Sequence, residues 1–263
     1  MNKVSIINTG HLFVPPEEVY SKEACGLLPE SERKRVKMPV FSFLIQNTEF
    51  SVLVDASGTN YEFMPWLIRN YIRIKFRPEP AEPINSQLKE RGVKKLDFVF
   101  TTHLHFDHIA GLEKVIRDFN PQVFVNPHEL KMAGKRFILG YPSQKYLKQL
   151  LTTPFPNMEK YGISPIELSG HSYGDMGLVI SKPPVLIAGD SIEGALGFVK
   201  TPPRTFQADY DAYLSRIKCL KGLSKNFAIL SSHDPFLRAC DNVSDIVPET
   251  LKRQESFANL FLS

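Results

Sequence analysis

"FTTHLHFDHIAG", Phe100 to Gly111, decides how this chain reads: His103, His105, Asp107 and His108 fall within six consecutive positions and include three of its seven histidines. Upstream lies the strand-like run "LDFVF" (Leu96–Phe100), and downstream "HIAGLEKVIRDF" (His108–Phe119) has the apolar spacing of an amphipathic helix. A loop between two packed elements can hold its side chains firmly. In extended backbone, residues two apart point the same way. His103 and His105 can therefore converge on one cation while Asp107 and His108, at the turn into the helix, face a second. A histidine-rich loop can also be ordinary polar surface, but one so dense in ligand-type side chains favours a metal site.

Three more polar residues end or follow apolar segments: His171 in "ELSGHSYGD", Asp190 in "PVLIAGDS" and His233 in "AILSSHDP". A site assembled from strand ends needs such placements. The remaining histidines, His11 after "NTG" and His128 in "NPHEL", match no such pattern and read as loop or cap positions.

The periodicity predicts strands at Val4–Ile7, Phe41–Ile45, Phe50–Val54, Phe98–Thr101, Val123–Val125, Val185–Ala188 and Phe227–Leu230. "FSFLIQ" and "FSVLVD", separated by "NTE", form a hairpin. Helical patterns cover Pro65–Phe76, Ile84–Arg91, Ile109–Phe119, Tyr210–Leu223 and Pro248–Phe261. Hairpin-like early strands followed by strands alternating with helices suit two sheets in a sandwich with helices outside. The least regular stretches are Val14–Met38, "RPEPAEP" at Arg77–Pro83 and "KTPPRTFQ" at Lys200–Gln207; none reads as a domain boundary, so residues 1–263 are expected to form one domain.

Composition narrows the class. The 43% hydrophobic and 23% charged fractions are those of an ordinary globular chain, and 32 basic against 28 acidic residues gives weak support for a polyanionic partner. The densest basic run, "ERKRVK" at Glu32–Lys37, reads as the solvated face of a short helix. Cys25, Cys219 and Cys240 fit neither a disulfide framework nor a cysteine zinc site. No signal peptide is evident and no stretch approaches the ~18 apolar residues of a membrane span, so the expectation is a cytoplasmic protein with a small-molecule substrate and neither nucleic acid nor membrane as partner.

The string His103-x-His105-x-Asp107-His108, followed by Gly-His171, Gly-Asp190 and Ser-His233, resembles the metallo-β-lactamase superfamily in its dinuclear hydrolase form, with the upstream aspartate at Asp55 in "VLVDASG". The resemblance runs from about residue 41 to 234 with the motifs in the family's order. It implies an α/β fold, an αββα sandwich of two mixed sheets flanked by helices with the site at one edge. It also implies two divalent ions: His103, His105 and His171 on one, Asp107, His108 and His233 on the other, Asp190 bridging. Zinc is the usual metal, with iron and manganese compatible. Such ions share a water, lower its pKa toward about 7 and supply a metal-bridging hydroxide, while Asp107 takes or delivers a proton. Asp55 either orients a ligating histidine or only caps its own turn.

Within the family, "HLHFDHIAGL" and "KMPVFSFLIQ" look most like the N-acyl-homoserine-lactone lactonases, which implies a lactone as substrate. That branch commonly carries a tyrosine three residues after the bridging aspartate, where this chain has Glu193 in "GDSIEG". Glu193 is then a proton donor or substrate contact, or an exposed loop residue. Glyoxalase II-like thioesterases share the metal motif but normally add a helical C-terminal domain, phosphodiesterases of the family usually carry extra modules, and a ligand-binding regulator on the same scaffold has no chemical need for all seven ligands. In "PWLIRNYIRIKFRP" (Pro65–Pro78), Arg69, Arg73 and Arg77 are spaced for one helical face, so the segment reads as a peripheral helix, with a lid, an anion-binding face or a homodimer surface as alternatives.

Overall fold

The computed structural model describes residues 2–61, 66–133, 154–199, 203, 204 and 207–259. The expected start of one helix at Pro65, the end of another at Phe261 and most of Lys200–Gln207 lie outside them.

Among the described residues, ten strands form two mixed sheets. β1 (Lys3–Val14), β2 (Val36–Gln46), β3 (Ser51–Val54), β4 (Glu79–Pro80), β5 (Phe98–Phe100) and β6 (Gln122–Phe124) build the first, in the order β4-β1-β2-β3-β5-β6. β7 (Ile163–Glu167), β8 (Met176–Ile180), β9 (Val185–Gly189) and β10 (Ala228–Ser231) build the second, in the order β10-β9-β8-β7. The expected hairpin is present, with Phe43 opposite Val54 and Gln46 opposite Ser51. β3 to β5 and β9 to β10 are parallel pairs, so their C-terminal ends lie side by side.

Alternation along the strands explains the layering. Phe41, Phe43 and Ile45 of β2 and Val52 and Val54 of β3 point inward and pack on Leu178, Ile180, Val185, Ile187 and Leu230 of the other sheet. Leu44 and Leu53, one residue out of step, face outward to Leu88, Leu112 and Val115 on the helices Ile84–Glu90 and Leu112–Phe119. Leu186 and Ala188 of β9 likewise turn outward to Tyr213, Ile217 and Leu220 on the helix Tyr210–Leu223. The result is the four-layered αββα sandwich, each sheet buried on both faces. Among the described residues no helix is long and apolar enough to cross a membrane.

Several boundaries differ from expectation. β7 and β8 were not anticipated, and β4 lies inside the proline-rich run, pairing with Gly10 and His11 of β1. β1 continues through the expected loop after "NTG", past a bulge between Asn8 and His11, so His11 is a strand residue rather than a loop one. The run Glu32–Lys37 is no helix face: a 3₁₀ turn ends at Glu32, and β2 begins at Val36. There Arg35 donates to the carbonyls of Phe13 and Lys75, at 2.6 and 2.7 Å, and Lys37 pairs with Glu79 at 2.9 Å. The helix expected from Ile109 splits into a turn, Phe106–Ile109, and a helix, Leu112–Phe119. All three cysteines are free thiols.

Candidate metal centre

Four strand ends and one hairpin loop deliver the site. Asp55 follows β3, and its left-handed backbone (φ +57°) turns the chain beside the end of β5, its amide donating to Phe100 O at 2.9 Å. His103, His105, Asp107 and His108 follow β5, His171 sits between β7 and β8, Asp190 follows β9, and His233 follows β10. Gly189 must be glycine: at φ +55° a Cβ would lie 2.8 Å from Thr102 Oγ1, so a side chain there would push the Asp190 and His103 segments apart.

The seven expected side chains meet in two groups. Ligand atoms of His103, His105, His171 and Asp190 lie within 4.8 Å of one another, as do those of Asp107, His108 and His233. Asp190 joins the groups: its Oδ2 is 3.9 Å from His103 Nε2, 3.6 Å from His171 Nε2, 3.2 Å from His108 Nε2 and 3.3 Å from His233 Nε2. Asp107 Oδ2 is 3.1 Å from His233 Nε2. His11 and His128 belong to neither group; His128 is exposed at the start of the helix Pro127–Ala133, its amide donating to Asn126 Oδ1 at 2.9 Å.

Hydrogen bonds on the far side of three imidazoles set which nitrogen is available. Asp55 Oδ2 accepts from His108 Nδ1 (2.8 Å) and from the Thr102 hydroxyl (2.7 Å). Because that hydroxyl donates to Asp55, its oxygen is left to accept from His103 Nδ1, 3.1 Å away. Pro39 O accepts from His233 Nδ1 at 2.7 Å. His103, His108 and His233 therefore keep a proton on Nδ1 and turn Nε2 into the site, the orientation metal ligands require. Asp55 thus hydrogen-bonds a histidine of the site as well as turning the chain.

Electrostatics divides the groups. Burial, reinforced by neighbouring imidazoles, holds His103 well below the usual histidine range and His105 at about 3, and burial lowers His171 too. Burial works the same way on His108 and His233, but Asp190 and the other carboxylates outweigh it and raise both. Those two imidazoles in turn hold Asp190 and Asp107 ionised despite burial. His103 Nε2 and Asp190 Oδ1 are buried with no hydrogen-bond partner, and His105 Nδ1 faces His171 Nε2 at 3.0 Å. Buried imidazole nitrogens and carboxylates converging this closely fit divalent cations in both groups.

Glu193 is not an exposed loop residue. It is buried, and its Oε2 has no partner; burial and the nearby Asp190 push its pKa up to about 8. Sequence reading missed Thr102, Glu129 and Asp175, which surround the ligands without joining them. Burial and Glu129 raise the Asp175 carboxyl well above its usual range. Of these, only Thr102 carried a visible sign, its place directly before His103.

Comparison with known proteins gives the family and the fold. Residues 35–233 match the Metallo-beta-lactamase superfamily. The hydroxyacylglutathione hydrolase of Blochmanniella pennsylvanica is 26% identical over 200 residues, covering 75% of this chain and 71% of that one. A crystal structure of a probable metal-dependent hydrolase from Staphylococcus aureus superposes with a TM-score of 0.68 at 18% identity, covering 89% of each chain. AidC, a dizinc quorum-quenching lactonase solved with a product, superposes with a TM-score of 0.67 at 16% identity, covering 90% of this chain and 89% of its own. With its motifs on the expected strand ends and the match spanning most of its length, the chain belongs to the metallo-beta-lactamase superfamily.

Proposed function

We propose that residues 1–263 form one domain that works as a dinuclear metal-dependent hydrolase, attacking an ester-like carbonyl, foremost that of a lactone. The observation carrying this reading is Asp190, whose single Oδ2 lies within 4 Å of imidazoles from both groups. His103, His105 and His171 would hold one ion, Asp107, His108 and His233 the other, and Asp190 both. Zinc suits this nitrogen-rich set, and manganese or iron is compatible. Bound there, such ions supply a Lewis acid for the carbonyl and lower the pKa of a shared water toward about 7.

The chain's own groups handle the protons. Asp107, kept ionised by His108 and His233, is the acceptor. Glu193, three residues beyond Asp190 and protonated below about pH 8, is the donor to the leaving oxygen. A lactone is favoured because its ring-opened product bears an alkoxide that needs such a donor, and because AidC is a lactonase. The likeness to a hydroxyacylglutathione hydrolase supports a thioester as second substrate class.

Protein loaded with Zn²⁺ or Mn²⁺ should open lactones faster than it cleaves thioesters or phosphodiesters. His103→Ala should abolish turnover, and Glu193→Gln should lower kcat with metal content intact. Absence of transition metal after reloading, or His103→Ala with wild-type activity, sinks the hydrolase reading. Tight ligand capture without product would make the protein a binding module.

A further inference from the structure

A carboxylate outside the ligand set ties together the two loops that carry the first group of histidines. We propose that Glu129 is a positioning residue for the His103–His105–His171 pocket, doing for it what Asp55 does for His108; this rests on the metal reading above. Glu129 lies in the first turn of the helix Pro127–Ala133 and is only 1% exposed. Its Oε1 accepts from the amide of Leu104, the residue between His103 and His105, at 3.1 Å. Its Oε2 accepts from Ser172 Oγ and from the Gly174 amide, each at 2.9 Å, on the loop immediately after His171. One rigid carboxylate thus takes donors from both segments that present the three imidazoles.

The surroundings leave that carboxylate little room to move. The Gly174 backbone packs so closely that a Cβ there would lie 2.6 Å from Glu129 N. Asn126 Nδ2 donates to Gly174 O at 3.0 Å, Asp175 Oδ2 accepts from the Ser172 amide at 2.5 Å, and Asp175 Oδ1 lies 2.6 Å from the Ser172 hydroxyl oxygen. The residues donating to Glu129 flank the first pocket's ligands: Leu104 sits between His103 and His105, on the loop that runs on to Asp107 and His108, and Ser172 and Gly174 follow His171. A glutamate that only supported the fold would loosen both pockets together; one that positions these loops loosens the first alone.

Glu129→Gln keeps the side-chain volume but turns one acceptor into an NH₂ that opposes the donors of Leu104 or of Ser172 and Gly174. The test places it in two backgrounds, His233→Ala to cripple the second pocket and His103→Ala to cripple the first, and measures Zn²⁺ affinity by competition with a chromophoric chelator. In the His233→Ala background the substitution should weaken the remaining ion about 10–100-fold, the usual cost of losing a hydrogen bond that orients a ligand. In the His103→Ala background it should leave affinity unchanged. Equal loosening in both backgrounds, or none in the first, overturns the proposal. Wild-type protein that binds no Zn²⁺ overturns the metal reading itself. Should Glu129→Gln not fold, Ser172→Ala removes one of the three donors and should give a smaller loss confined to the same background.

Discussion

At the scale of single residues, one hydrogen bond decides what a histidine can do. Asp55 Oδ2 accepts from His108 Nδ1, which leaves the His108 lone pair on Nε2, facing Asp190. In Asp55→Asn, an amide with its oxygen on Thr102 N would turn its NH₂ toward His108 and force the other tautomer. The expected outcome is about 10–100-fold weaker metal binding, read by chelator competition, with the fold intact by circular dichroism. Glu193 makes a prediction of a different kind. Its folded pKa of about 8 lies above the ordinary 4.5, so the folded chain keeps a proton that the unfolded chain releases. Its contribution to stability is therefore present below about pH 4.5 and is lost as pH rises toward about 8. Gln titrates nothing, so metal-free Glu193→Gln should gain melting temperature on wild type progressively from pH 4.5 to 8; a gap that does not change with pH would refute this. The ligand inventory was legible because His and Asp at strand ends are visible in the letters, whereas the burial of Glu193 was not: "SIEG" has the composition of a surface turn.

Elements show the same division. Strands with two-residue alternation, β2 and β3 above all, were readable because each face meets a different layer. β7 escaped because Pro165 interrupts it, which an edge strand tolerates, since it needs hydrogen bonds on one side only. β4 is two residues at an edge of the other sheet, too short for any periodicity. The helix Trp66–Phe76 is peripheral as expected, but its anchoring is slimmer than its apolar content suggests: Ile72 is 2% exposed, while Leu67 and Ile74 are 73% and 76% exposed. Its arginines do not form one face, for Arg77 lies beyond the helix end at φ +41°. Ile72→Ala should therefore cost about 2–5 kcal/mol in denaturant unfolding. Ile74→Ala should stay within about 0.5 kcal/mol, and comparable losses at the two positions would mean that the helix face is assigned wrongly.

For the whole molecule, the site is a joint between the two sheets. Phe41 N of the first sheet donates to Ser232 O at 3.0 Å, and Pro39 O holds His233, so ligands from both sheets share one rim. Ions held there as proposed would link the sheets and stabilise the fold by mass action. Chelation should lower unfolding stability by about 2.7 kcal/mol for each site at a free metal concentration 100 times its Kd, visible as a fall in Tm that Zn²⁺ reverses. An unchanged Tm would argue that the folded chain binds no ion there. The sequence by itself determined the candidate ligand types, their order, their two-by-two division in "HLHFDH" and the layered architecture, because side-chain chemistry and strand periodicity are local properties of the chain. Only the tertiary structure decided that Asp190 reaches both groups, that Thr102 and Pro39 set histidine tautomers, and that Glu129 clasps two loops. Apart from Thr102, which neighbours His103, those contacts join residues distant in the chain, 194 positions apart for Pro39 and His233, and burial alone turns an ordinary-looking Glu in "NPHEL" or "SIEG" into part of the site.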